Sequence, residues 1–283
     1  MISISIVTPS FKQVGLLKVC AASVADQRGE FTLEHLIEDG GTGPEFDAWA
    51  AEQSFAQCTS EPDKGMYDAI NRGFAKAKGD IVAWLNCDEQ YLPSALEKVA
   101  AWFARHPEMD VLFGDIVLID PAGRPMAYRQ AITPMRGHIR NCFLPTYSAA
   151  TFVRRKVIDK GHLLDTRFRA IADGVWIDEL IGAGYRMGVL NEPLAVFTQT
   201  GENLGQTPAA LAEGGKWKRD HGLSGRFMRH GWGLIHRFRK MIRGGYRARH
   251  VSFEIHDREA GGRVVRSGWI GGRWSRLERE GEE

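Results

Sequence analysis

Between Ser60 and Tyr91 the chain reads SEPDKGMYDAINRGFAKAKGDIVAWLNCDEQY, a charged stretch running into a short apolar one that ends in Asn86-Cys87-Asp88-Glu89. Adjacent carboxylates repel each other, so a pair at a strand tip either faces water or holds something cationic. Ionised carboxylates accept hydrogen bonds, which suits them to ribose hydroxyls or a nucleotide base. They also hold hard divalent cations, which in turn bind diphosphates. Asp39, in Glu38-Asp39-Gly40-Gly41, suits the first role and Asp88 the second, with Lys64 close by in sequence. Taken singly, each of these loops also reads as a plain turn or a solvated loop.

The surrounding elements decide how such residues are placed. ISISIVTPSF is a β-branched run stopped by Thr8-Pro9-Ser10, a strand followed by a loop. LLKVCAASVADQ carries helical spacing, Leu33–Ile37 reads as a second strand, and FDAWAAEQSF as a helix. MYDAINRGFAKAK places Met66, Ile70, Phe74 and Ala77 on one helical face, Gly79 closes it, and DIVAWLN is the next strand. SALEKVAAWFARHPE and VLFGDIVLID continue the alternation. Strands alternating with helices at these lengths predict an α/β protein with a mostly parallel central sheet flanked by helices. In such sheets functional loops gather at the carboxyl ends of the strands. The loops at Thr8, Asp39 and Asn86 all fall there, and together they make a site.

Other chemistries are excluded by what the loops lack. TPSFKQ after the first strand is no dinucleotide fingerprint, and neither a P-loop nor a G-x-S-x-G elbow is present. The four cysteines show no metal-ligand spacing and read as reduced thiols of a cytoplasmic protein. MISISIVTPSF does not read as a signal peptide, and no apolar run approaches the ~20 residues of a membrane span. Beyond about residue 205 Gly and basic residues dominate, which predicts a main domain over 1–205 and a basic, partly helical extension over 206–283. RFMRHGWGLIHRFRKMIRGGYRAR interleaves cations with large apolar residues, as a helix lying on an anionic membrane surface does, or one packed on the main domain. No nucleic-acid-binding module accompanies the charge, so nucleic acid is not an expected partner.

SISIVTPSF, IEDGGTG, SEPDKGMYDAINRGFAKAKGD and VAWLNCDEQYLPSAL resemble, in order and spacing, the family 2 glycosyltransferases, over about residues 2–200. The likeness is greatest to the branch that builds bacterial exopolysaccharides, of the colanic acid type. The resemblance implies a GT-A fold, a nucleotide-sugar donor (commonly a UDP-sugar), a divalent metal such as Mn or Mg, and inversion at the anomeric carbon. It places the Thr8-Pro9 loop, Asp39, Asp63, Lys64 and Asn86 around the nucleotide. The family's Asp-x-Asp falls on Asn86-Cys87-Asp88, so Asn replaces the first acid and Asp88 is the metal ligand.

The family's general base lies in a later acidic motif, here IADGVWIDEL, which makes Asp173 the catalytic base. Asp178 is its competitor, expected to face solvent further along the helix. Related chains carry a His before a TF-x-RR block, where this chain has Ser148. The acceptor is then a saccharide or lipid-linked saccharide, received by loops within 121–170 at the inner face of the cell membrane. A sugar nucleotidyltransferase, or a non-catalytic sugar-nucleotide-binding protein, is the alternative.

Overall fold

The computed structural model of the chain describes residues 1–201, 205, 207–222 and 226–271. Its first half alternates strands and helices: β1 (Ile2–Ser10), α1 (Val14–Ala25), β2 (Phe31–Asp39), α2 (Pro44–Ala50), β3 (Ala56–Ser60), α3 (Met66–Lys76) and β4 (Ile81–Trp84). The four strands are parallel in the order β3-β2-β1-β4. Register aligns Ser10 with Asp39 and Asp39 with Ser60, so their loops leave the sheet along one edge. Gly79 allows β4 to approach β1, since a Cβ there would lie 2.6 Å from the Ser5 amide nitrogen.

The sheet continues through β5 (Glu89–Tyr91), α4 (Ala95–Arg105), β6 (Val111–Ile119), β7 (Pro125–Arg129), α5 (Arg136–Asn141), β8 (Thr151–Arg154), α6 (Lys156–Asp159), α7 (Ala172–Gly182) and β9 (Met187–Thr198). The path is β3-β2-β1-β4-β8-β6-β9-β5, with β7 beside β6. Here the sheet becomes mixed: β8 runs antiparallel to both β4 and β6, while β9 is parallel to β6 and antiparallel to β5. β9 therefore connects the far end of the sheet to Glu89, which pairs with Phe197.

One core packs α1 and α4 on the sheet through Cys20, Val24, Leu96, Val99, Phe103 and Phe152. The other packs α3 and α7 through Ile70, Phe74, Trp84 and Trp176. Trp84 meets Trp176 at 5.7 Å and Phe74 at 5.9 Å between ring centroids, both edge-on. Each such buried aromatic contributes roughly 1.5–3 kcal/mol by leaving water. That cluster fixes α7 beneath the end of β4.

After residue 205 come α8 (Pro208–His221), α9 (Arg226–Ile242) and a hairpin of β10 (Arg249–His256) and β11 (Arg263–Ile270). Trp217 of α8 joins the Trp84–Trp176 core. Val251, Phe253, Ile255 and Ile270 of the hairpin pack on Leu92, Val117, Tyr128 and Val196. Arg263 Nε donates to Asp26 Oδ2 at 2.6 Å, which ties the hairpin to the end of α1. The expected helix over FDAWAAEQSF is shorter than its pattern: it stops at Ala50, and Ala56–Ser60 is an edge strand.

Candidate active site

The edge where β1, β2 and β4 end borders a cavity of about 930 Å³. Thr8 does not reach it. Its hydroxyl lies 2.9 Å from Nε2 of His35, and both side chains are buried within the sheet. Burial lowers the His35 pKa to about 3, so this ring is neutral. Pro9 and Ser10, the next residues along, do line the cavity.

Asp39 is also withheld from the cavity. Its Oδ2 accepts from the amides of Gly41 and Thr42 and from the Ser60 hydroxyl, at 3.0, 2.7 and 2.8 Å. Its Oδ1 accepts from the Thr42 hydroxyl at 2.5 Å. The carboxylate thus organises the loop that follows β2. Asp63 lines the cavity, with Oδ1 accepting from the Gly65 amide at 2.7 Å. Its Oδ2 sits 2.7 Å from where a Gly40 Cβ would be, so only glycine lets the two loops meet. Lys64 is exposed and outside the lining; its carbonyl accepts from the Arg169 guanidinium.

The Asn86–Glu89 turn separates its two acids. Glu89 points inward, fully buried, and its Oε2 accepts from the Asn86 amide at 2.8 Å, bracing the turn. Thr198 Oγ1 holds the Asp88 carbonyl at 2.7 Å from the other side. The clamped main chain leaves Asn86, Cys87 and Asp88 lining the cavity. Burial raises the Asp88 pKa, and no cation pairs with it among the described residues. Burial, and then the charge of Asp88, raise that of Glu89 well above the usual range.

Asp173 enters from the first turn of α7 and lines the same cavity. A helix N-terminus favours the ionised carboxylate, and Oδ1 accepts from the Gly174 amide at 2.8 Å. Burial outweighs both and raises its pKa to about 6. The buried Tyr67 lines the cavity with it, and burial and then the charge of Asp173 raise the Tyr67 pKa. Asp178 does not face solvent as its sequence position suggests. It is 3% exposed and chelated by Arg140 Nε and Nη2, both at 2.8 Å, and by Arg136 Nε at 3.2 Å. Two arginines of α5 draw it away from the cavity, which offsets the cost of its burial.

The structure therefore gathers Pro9, Asp63, Asn86, Asp88 and Asp173 around one space, and leaves out Thr8, Asp39 and Lys64. Sequence reasoning missed Arg129, Tyr67, Trp217 and Lys218, which line it too. The only hint was the density of basic residues around Lys218. Burial, and then Arg229, lower the Lys218 pKa. Among the described residues no three ligating side chains converge, so no all-protein metal cage is present. A single half-buried carboxylate without a cation does fit an ion that is completed by substrate phosphates and water.

The fold is GT-A. It superposes on the crystal structure of S. aureus TarS 1–349 in complex with UDP-GlcNAc with a TM-score of 0.57 and 16% identity, over 72% of this chain and 61% of that one. The chain belongs to Glycosyl transferase family 2, whose model matches residues 5–162. It is 37% identical over 91 residues to an uncharacterized glycosyltransferase of Mycobacterium tuberculosis, covering 31% of this chain and 35% of that one. It is 32% identical over 123 residues to a PGL/p-HBAD biosynthesis glycosyltransferase of the same species, covering 40% and 46%. The chain thus spans less than half the length of these relatives.

Proposed function

We propose that the protein is an inverting, metal-dependent glycosyltransferase that moves a sugar from a nucleoside diphosphate sugar, a UDP-sugar, to a saccharide acceptor. The observation that carries this reading is the pairing of Asp88 and Asp173 on one cavity. Both are half-buried acids with raised pKa values, and neither is matched by a cation among the described residues. In the proposed reaction the acceptor hydroxyl attacks the anomeric carbon as the bond from that carbon to the diphosphate oxygen breaks. Asp173 takes the hydroxyl proton, and the nucleoside diphosphate departs with the bonding electrons. A carboxyl with a pKa near 6 is mostly ionised at neutral pH and still basic enough to share a proton in the transition state. Asp88 would hold a divalent cation, Mn or Mg, whose chemistry is to neutralise charge on the leaving diphosphate.

Pro9, Asn86 and Asp63 are proposed to line the nucleotide end of the cavity, with Asp39 and Thr8 acting behind it to fix the loops. Arg129 and Lys218 bring positive charge into the same space for the diphosphate. The acceptor would enter past Phe143, Tyr147 and Ser148, which stand within the loops 121–170. Such an acceptor, free or lipid-linked, belongs to the assembly of a cell-surface polysaccharide. The test is release of nucleoside diphosphate from a panel of nucleotide sugars with manganese present. Turnover of one donor class, suppressed by chelator, is expected; binding with no turnover across the panel would mark a non-catalytic sugar-nucleotide-binding protein.

A further inference from the structure

α9 turns most of its large apolar side chains outward, Trp232 against Gly137 of α5 excepted. Its inward face carries His236 and Lys240, each 7% exposed, and Arg239, whose guanidinium donates to the Thr133 carbonyl at 3.0 Å. Its outward face carries Phe227, Leu234, Phe238 and Met241, at 92, 62, 60 and 59% exposure. Those positions follow a spacing of seven, four and three residues, with Ile235 and Ile242 alongside, so they form one continuous stripe. A helix packed on a soluble protein turns its apolar stripe inward; this one turns it out. Over 17 residues the stripe is about 25 Å long.

Charge identifies what covers it. From 226 to 249 the chain has no Asp or Glu; Arg237 flanks the stripe, and Arg229, Arg243 and Arg247 are exposed elsewhere on α9 and the turn after it. A second copy packed on this face would bring arginines against arginines. An anionic lipid surface instead offers hydrocarbon to the stripe and phosphates to its rim. α9 also sits beside the cavity. His236 stacks on His138 of α5 at 4.5 Å and meets the ring of Phe143, a cavity-lining residue, at 5.5 Å.

We propose that the outward face of α9 docks into the interface of an anionic bilayer and holds the cavity at that surface, where the acceptor is carried on a lipid. The lipid acceptor rests on the transferase reading; the docking does not.

The test is co-sedimentation of the full chain with vesicles of phosphatidylcholine alone or mixed with phosphatidylglycerol. Binding to the mixed vesicles should exceed that to phosphatidylcholine by about tenfold or more at low salt, and high salt should reverse it. Leu234→Ser with Phe238→Ser should remove this binding while leaving turnover of a soluble donor intact. Phe238→Trp should show blue-shifted emission on mixed vesicles only. Equal or absent binding to both vesicle types overturns the docking, as does a dimer by light scattering that the double substitution dissolves. Donor turnover measured without vesicles reports separately on the transferase reading: docking without turnover removes that reading alone, and turnover without docking removes the membrane surface alone.

Discussion

Replacing Asp173 by Asn is expected to lower the transfer rate by about a hundredfold or more while donor affinity changes little. The amide keeps the size of the side chain, and its oxygen can still accept from the Gly174 amide, 2.8 Å away in the native protein. What it loses is basicity. A positioned base contributes on the order of 10²- to 10⁴-fold, and the loss appears in kcat because the proton moves only in the transition state. The pH profile gives a second readout. Burial raises the Asp173 pKa to about 6, and the base must be unprotonated, so kcat/KM should rise through that pH and level off above it. The Asn variant should lack that limb. Asp178→Asn, made in parallel, should keep most activity and lose stability, because Arg136 and Arg140 lose their anion. A reversal of the two variants would transfer the base role to Asp178.

Removing the Asp88 carboxylate acts on a different step. Asp88→Ala should abolish the metal-dependent part of nucleoside diphosphate binding, followed by titration calorimetry with UDP and manganese. Burial disfavours the Asp88 anion, and no side chain among the described residues compensates it. A divalent cation would supply that compensation and is worth several kcal/mol where a diphosphate shares it. Each 1.4 kcal/mol is tenfold in affinity, so a loss of at least about tenfold is expected. Chelator should weaken the native protein to the level of the variant. Equal affinity with and without chelator would remove the metal role from Asp88.

Much of this arrangement was legible in the sequence, for reasons that differ by residue. β1 is rich in β-branched residues, β4 is a wholly buried apolar run, and α3 carries one buried face through Ile70 and Phe74. Period and composition agreed there, and the strand-end rule then placed Asn86 and Asp88 at the cavity. Asp39 and Thr8 were placed at the right edge, but sequence gives no view of a side chain's direction. One binds its own loop and the other a buried histidine. Asp178 misled because polarity suggested exposure, while the arginines that bury it lie about forty positions earlier in the chain.

The edge strand β3 was hidden by its short, half-exposed AQCTS. In β10 the inward residues Val251, Phe253 and Ile255 alternate with exposed ones, a period of two obscured by neighbouring arginines. Trp217 and Lys218 could not be read as cavity residues, since nothing local says that α8 folds back over the sheet end.

The anomeric configuration of the product reports whether the sugar is moved in one in-line displacement. One displacement, with Asp173 as base and the diphosphate leaving from the opposite side, allows a single stereochemical outcome. Proton NMR of the first product formed by the native protein, before any mutarotation, reads it from the anomeric coupling. Inversion relative to the donor is the predicted result. Retention would require a second displacement, or attack from the face the diphosphate leaves, and would contradict the assignment of Asp173 as the base of a single in-line displacement.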